Sequence, residues 1–216
     1  MIQIAKEFLL NFSPISYFKT VRRKKKDIKE LERWIKTGKQ NPPPHIIKQK
    51  NLLDYATKYN LNFFVETGTF NGDMIEAMKD HFDELYSIEL CQPLFEKAEK
   101  RFKFQKNITL IQGDSGKKLK SIMKRIDRPA LFWLDGHYSG GETALAEKET
   151  PIFEELICIL ESKDHQHVIV IDDARLFGTD LSYPTINELN TLVNSRRDNL
   201  EITVEYDSIK IAPKVE

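Results

Sequence analysis

Two kinds of hydrophobic patterning divide the chain. Residues 1–60 read as helices with a break near Ser13-Pro14. Gly38 is placed as a helix stop and "NPPPH" (41–45) as a rigid extended connector. The stretch "IIKQKNLLDYATKYN" carries apolar residues at Ile46, Ile47, Leu52, Leu53 and Tyr55 and reads as another helix. From Asn62 the pattern becomes strand alternating with helix. Strands are expected at 63–66, 85–89, 108–112, 130–135 and 167–173, and helices at 73–82, 93–104, 115–126, 151–161 and 185–195. The tail "LEITVEYDSIKIAP" reads as two alternating strands around a tight turn at Asp207-Ser208.

Repeated strand–helix units imply an α/β protein. Its sheet is doubly wound and mostly parallel, with helices on both faces. With the closing hairpin this makes a seven-stranded, Rossmann-like sheet ending in antiparallel strands. The expected division is a helical extension or cap over residues 1–60 and the sheet domain over 61–216.

Composition narrows the function classes. Lys+Arg and Asp+Glu both total 33 in 216 residues, so no basic excess points to nucleic acid. The mean hydropathy is −0.47. No apolar run approaches the ~20 residues that a membrane helix needs. The N-terminal stretch lacks the form of a signal peptide. Two cysteines, Cys91 and Cys158, are too few for a disulfide scaffold, and the expected compartment is reducing and cytoplasmic.

In open parallel sheets ligands bind at the C-terminal strand ends, where strand order reverses. The loop "VETGTFNG" lies at such an end. It has Gly68 and Gly72 with Thr69 between them, but neither a Gly-x-Gly-x-x-Gly pattern nor a Lys-Ser/Thr pair for a triphosphate. It begins with Glu66, which would repel a pyrophosphate and suits a ligand with an ammonium end. Glu89 ends the second strand about 20 residues further on, where an acid accepts ribose hydroxyls. Asp114 and Ser115 follow the third strand, where they can meet an adenine edge or simply cap a helix. An ammonium-bearing end, a ribose and an adenine together describe S-adenosylmethionine.

In this order, "VETGTFNG", "SIEL", "QGDS", "LDGH" and "IDDAR" resemble the motifs of class I S-adenosylmethionine-dependent methyltransferases, over roughly residues 62–213. The resemblance implies that Glu66 supports the methionine end, Glu89 binds ribose and Asp114 faces adenine. Gly68, Thr69, Gly72 and Ser115 complete that cofactor set.

The fourth and fifth strands end in Asp135 and in Asp172-Asp173. Carboxylates brought together repel unless compensated, and a hard divalent cation such as Mg²⁺ is the natural compensation. The same positions resemble the metal ligands of metal-dependent O-methyltransferases, including those acting on macrolide sugars (the macrocin-O-methyltransferase type). The alternative is that Asp135 contacts cofactor or substrate directly while Asp172-Asp173 cap a loop. His137 is either a base or substrate contact over this site or a surface residue, and Tyr138 is its neighbour in the candidate acceptor contacts. Arg175 either binds an anionic substrate group or pairs with Asp172 or Asp173.

The expectation is an S-adenosylmethionine-dependent O-methyltransferase using Asp135 and His137 in catalysis, on a hydroxyl of a sugar, nucleotide sugar or small natural product. The basic run at 21–27 is a solvated helix face or touches an anionic membrane surface, and a homo-oligomer is compatible with the helical extension. The rivals are a metal-independent methyltransferase, a non-catalytic cofactor-binding scaffold and a dinucleotide oxidoreductase.

Overall fold

The computed structural model describes residues 14–136, 150–162 and 165–214, with side chains from residue 25 onward. The chain divides into two compact units, residues 1–48 and 49–216.

The first unit contains helix α1, Pro14–Lys36. Pro14 suits a first helical position because its missing N–H would have no intrahelical partner there. Arg33 and Lys36 in the last turn favour the negative end of the helix dipole. Gly38, at φ +80°, follows the helix as expected of a stop. The basic run at 21–27 lies within this helix. Among the described residues no helix is long and apolar enough to cross a membrane.

Helix α2, His45–Lys58, leads into the sheet unit. The strands are β1 Phe63–Thr67, β2 Glu84–Glu89, β3 Ile108–Gln112, β4 Leu131–Leu134, β5 Val168–Ile171, β6 Leu200–Glu205 and β7 Ser208–Pro213. They form one sheet in the order β3-β2-β1-β4-β5-β7-β6. The first five are parallel, and β7 enters antiparallel between β5 and β6. Between β1 and β4 the order reverses, which opens a crevice at their C-terminal ends.

Successive strand residues point to opposite faces, so each strand feeds two cores. Phe63, Val65, Phe132, Leu134, Ile169 and Ile171 pack with residues of helices α5 (Ser115–Met123), α6 (Ile152–Leu160) and α7 (Ile186–Arg196). Phe64, Leu85, Leu131, Trp133, Val168 and Val170 pack with α2, α3 (Asp73–Met78) and α4 (Gln92–Phe102). Coverage on both faces is why these strands read as unbroken apolar runs.

Several boundaries differ from expectation. Helix α3 stops at Met78 rather than at 82, and Asn107, from the turn before β3, donates its side-chain amide to the carbonyls of Lys79 at 2.8 Å and Phe82 at 3.1 Å. These bonds satisfy carbonyls past the helix end, which have no intrahelical partner, while the Asp83 N–H goes to the Asn62 carbonyl and β2 begins at Glu84. Strand β5 ends at Ile171, so Asp172 and Asp173 lie just past it. The closing turn is Tyr206-Asp207, one residue earlier than read. Both residues have positive φ, 51° and 58°, which matches the twist of a two-residue hairpin.

Candidate functional site

Glu66 lies in β1 on the Phe64 face, fully buried beside β2. Its Oε2 accepts the Ser87 hydroxyl at 2.5 Å, and Ser87 Oγ in turn meets Thr69 Oγ1 at 2.5 Å. Burial pushes the Glu66 carboxyl well above the usual carboxylate range. The Ser87 hydrogen bond opposes this, and the nearby charges of Asp135, Glu89 and Asp73 add to it. The loop therefore joins an acid from β1, a hydroxyl from β2 and a hydroxyl of its own.

The two glycines of this loop have separate packing roles. A Cβ on Gly68 would fall 2.4 Å from the backbone oxygen of Asp135. A Cβ on Gly72 would fall 2.6 Å from the Phe102 ring. Gly68 and Gly72 also have φ of +85° and +74°, so both positions suit glycine on two counts. Gly68 thereby lets the loop after β1 lie against the end of β4.

Glu89 is buried at the end of β2. Its carboxylate takes the Phe70 N–H at 2.7 Å and the Cys91 N–H at 2.8 Å, one on each oxygen. A carboxylate offers about four lone-pair sites, so capacity remains for two ligand hydroxyls. Asp114 is the N-cap of α5, with Oδ1 accepting from Gly116 N at 2.9 Å. Buried Ser115 follows it, and its hydroxyl lies with Thr67 Oγ1 around Gly136, where a Cβ would be 3.0 Å from Thr67 and 3.3 Å from Ser115. Thr67 Oγ1 is buried and has no hydrogen-bond partner among the described residues.

Asp135, Asp172 and Asp173 come together at the ends of β4 and β5, each offering an oxygen within 4.8 Å of the others. Asp172 is buried, and the other two are half-buried. Three hard oxygen donors at this spacing fit a cation such as Mg²⁺. Asp173 is left-handed, at φ 56°, and starts a 3₁₀ turn over Ala174–Leu176. Asn and Asp tolerate that conformation better than most residues.

Of the two alternatives for Arg175, the structure contains the pairing with Asp173, at 2.7 Å. It adds a partner that sequence reasoning missed, Asp207 of the β6–β7 turn. Tyr183, also missed, lies near this cluster. Burial and the charges of Asp173, Asp180 and Asp135 raise its phenol above the ordinary value, so it stays a hydrogen-bond donor. His137 and Tyr138 lie outside the described residues.

His167, which had no functional context in the sequence, sits at the other end of the sheet. Its Nδ1 accepts the Ala130 N–H at 3.1 Å, and its Nε2 lies 3.3 Å from Ser162 Oγ. Burial, with smaller contributions from His165 and Arg197, pushes it down from 6.5 to about 4.

No family model matches the sequence, and no curated protein does either. Solved structures do match. An O-methyltransferase from Bacillus cereus, in complex with SAH, is 12% identical with a TM-score of 0.58, over 86% of this chain and 89% of that one. The O-methyltransferase TomG from Streptomyces achromogenes, involved in tomaymycin synthesis and solved with SAM, is 19% identical with a TM-score of 0.55, over 87% and 88%. The SAH-bound methyltransferase PaMTH1 from Podospora anserina is 14% identical with a TM-score of 0.53, over 94% and 97%. At these identities the likeness is one of fold, and it agrees with the strand order and the antiparallel β7. The chain therefore has the Rossmann-like fold of the class I S-adenosylmethionine-dependent methyltransferases.

Proposed function

We propose that this protein is an S-adenosylmethionine-dependent O-methyltransferase acting on a hydroxyl of a small-molecule acceptor, a sugar or small natural product. In this reading Asp135, Asp172 and Asp173 hold Mg²⁺. The observation that supports it most is the position of these three carboxylates at the ends of β4 and β5, within 4.8 Å of one another, with Asp135 against the loop that follows Glu66.

When bound, S-adenosylmethionine supplies a sulfonium methyl group, and Mg²⁺ lowers the pKa of an acceptor hydroxyl. The chain's own residues bind and orient. Glu66 faces the ammonium end, with Gly68, Thr69 and Gly72 shaping the loop around it. Glu89 takes ribose hydroxyls on the lone pairs left by Phe70 and Cys91. Asp114 and Ser115 meet the adenine edge. We assign His137, two residues after Asp135, as the base that takes the acceptor's proton when its oxygen receives the methyl group, with Tyr138 and Arg175 as acceptor contacts. Holding the hydroxyl in line with the methyl group is the larger part of such catalysis.

Calorimetric titration with S-adenosylhomocysteine, with and without Mg²⁺, tests this. Binding of both, followed by Mg²⁺-dependent methyl transfer to a hydroxylated acceptor, is the expected result. Cofactor binding with EDTA-insensitive turnover would keep the methyltransferase and remove the metal. Cofactor binding without turnover on any acceptor would favour a scaffold. No binding would end the reading.

A further inference from the structure

The guanidinium of Arg175 bridges two carboxylates from distant parts of the fold. Its Nη1 donates to Asp173 Oδ1 at 2.7 Å and to Asp207 Oδ2. The Asp207 side chain is fully buried, whereas that of Arg175 is 37% exposed. Asp207 also fixes the backbone on which Arg175 stands. Its Oδ1 accepts the Arg175 N–H at 2.9 Å, and its carbonyl accepts the Ala174 N–H at 2.8 Å. The guanidinium is thus tied to the hairpin turn through Asp207 and to the acid cluster through Asp173.

We propose that Arg175 is the internal counter-cation of the acid cluster, and that by competing for Asp173 it sets the affinity of Asp135, Asp172 and Asp173 for a divalent ion. This rests on reading the cluster as a cation site. The physical basis is twofold. An oxygen that accepts a charged N–H has less to give a metal, and a fixed positive charge beside the site repels an incoming cation. Asp207 moderates both effects by offsetting part of the guanidinium's charge and sharing the same Nη1 with Asp173. The two residues therefore act in opposite directions: Arg175 loosens the cation and Asp207 tightens it.

The test uses the full chain with Mn²⁺ as probe, its free concentration read by electron paramagnetic resonance and its affinity by calorimetry. S-adenosylhomocysteine affinity is measured on every variant as a check on the cofactor site. Arg175→Met is expected to bind Mn²⁺ about tenfold more tightly than the wild type. Arg175→Lys, which keeps the charge, stays near the wild type. Asp207→Asn, which removes the second carboxylate's charge from that nitrogen and leaves Asp173 as its charged partner, binds more weakly. Should Arg175→Met leave buried Asp207 uncompensated and fail to fold, the double variant Arg175→Met/Asp207→Asn buries no lone charge and is expected to bind more tightly than Asp207→Asn. A merely structural role would weaken binding in Arg175→Met as well as in Asp207→Asn, and Arg175→Met binding no more tightly than the wild type overturns the proposal. If S-adenosylhomocysteine binds throughout but neither the wild type nor any variant takes Mn²⁺, the cluster is no cation site and the proposal falls while the cofactor reading stands.

Discussion

The backbone carbonyl oxygen of Asp135 lies 2.4 Å from where a Cβ on Gly68 would sit. The obstacle is main chain at the end of a central strand, so it cannot swing aside as a flexible side chain would. Gly68→Ala also has to hold φ near +85°, which L side chains rarely adopt. The expected loss is about 2 kcal/mol or more, seen as a lower urea midpoint with an unchanged slope. A wild-type midpoint would mean that the loop relaxes without cost.

With Glu66 in its proposed place beside the ammonium end, cofactor binding is expected to depend on pH. It is held above the usual carboxylate range by burial, against the pull of Ser87 and with the push of Asp135. An ammonium group placed beside it favours the ionised form, so binding expels a proton. Affinity for S-adenosylhomocysteine is then expected to rise with pH up to the titration of Glu66 in the free protein, and to be flat above it. Calorimetry in buffers of different ionisation enthalpy reads the proton directly. Glu66→Gln should flatten the profile, and a flat wild-type profile would place the ammonium group elsewhere.

Glu89 carries two loads, since each oxygen holds a backbone N–H of a neighbouring loop. Glu89→Ala is expected to lower S-adenosylhomocysteine affinity by about 1.5–3 kcal/mol, the range for hydrogen bonds to a charged group. Glu89→Gln keeps one acceptor oxygen and should lose less. Equal affinity in all three proteins, by the same titration, would remove Glu89 from the cofactor site.

His167 concerns stability rather than activity. Its folded value of about 4 lies below the ordinary 6.5, so the unfolded chain binds the proton more readily. Its contribution is complete above pH 6.5 and is lost as pH falls toward 4, amounting to about 3 kcal/mol by linkage. Urea unfolding between pH 7 and 4.5 should show this slope, with a shallower one for His167→Gln. Equal slopes would mean that the ring charges in place.

Much of this was legible in the chain itself. The apolar runs at β1, β4 and β5 announce strands covered on both faces. The acids that end them follow the reversal of strand order, so their convergence is predictable once a doubly wound sheet is assumed. Arg175 with Asp173 was also within reach, because the two are two residues apart. Asp207 was not. Read locally it is one residue of a hairpin turn, and only the insertion of β7 beside β5 carries it to a partner 32 residues away. Ser87 and Asn107 escaped for the same reason. A hydroxyl inside a strand and an amide before one have no periodic signature, and their partners, Glu66, Lys79 and Phe82, come from other elements. His167, read as the first residue of the fifth strand, had no visible role until its ring nitrogen met the Ala130 amide.

The antiparallel entry of β7 between β5 and β6 has a consequence for the order of synthesis. While the chain grows from its N-terminus, every acid of the cluster emerges before residues 208–213 do, and until then the outer edge of β5 has no strand to pair with. Arg175 waits equally long for Asp207. Residues 207–213 therefore both cover an apolar sheet edge and anchor the guanidinium. A nascent chain that has made β5 but not the β6–β7 hairpin carries the acids and Arg175 without the carboxylate that fixes the guanidinium.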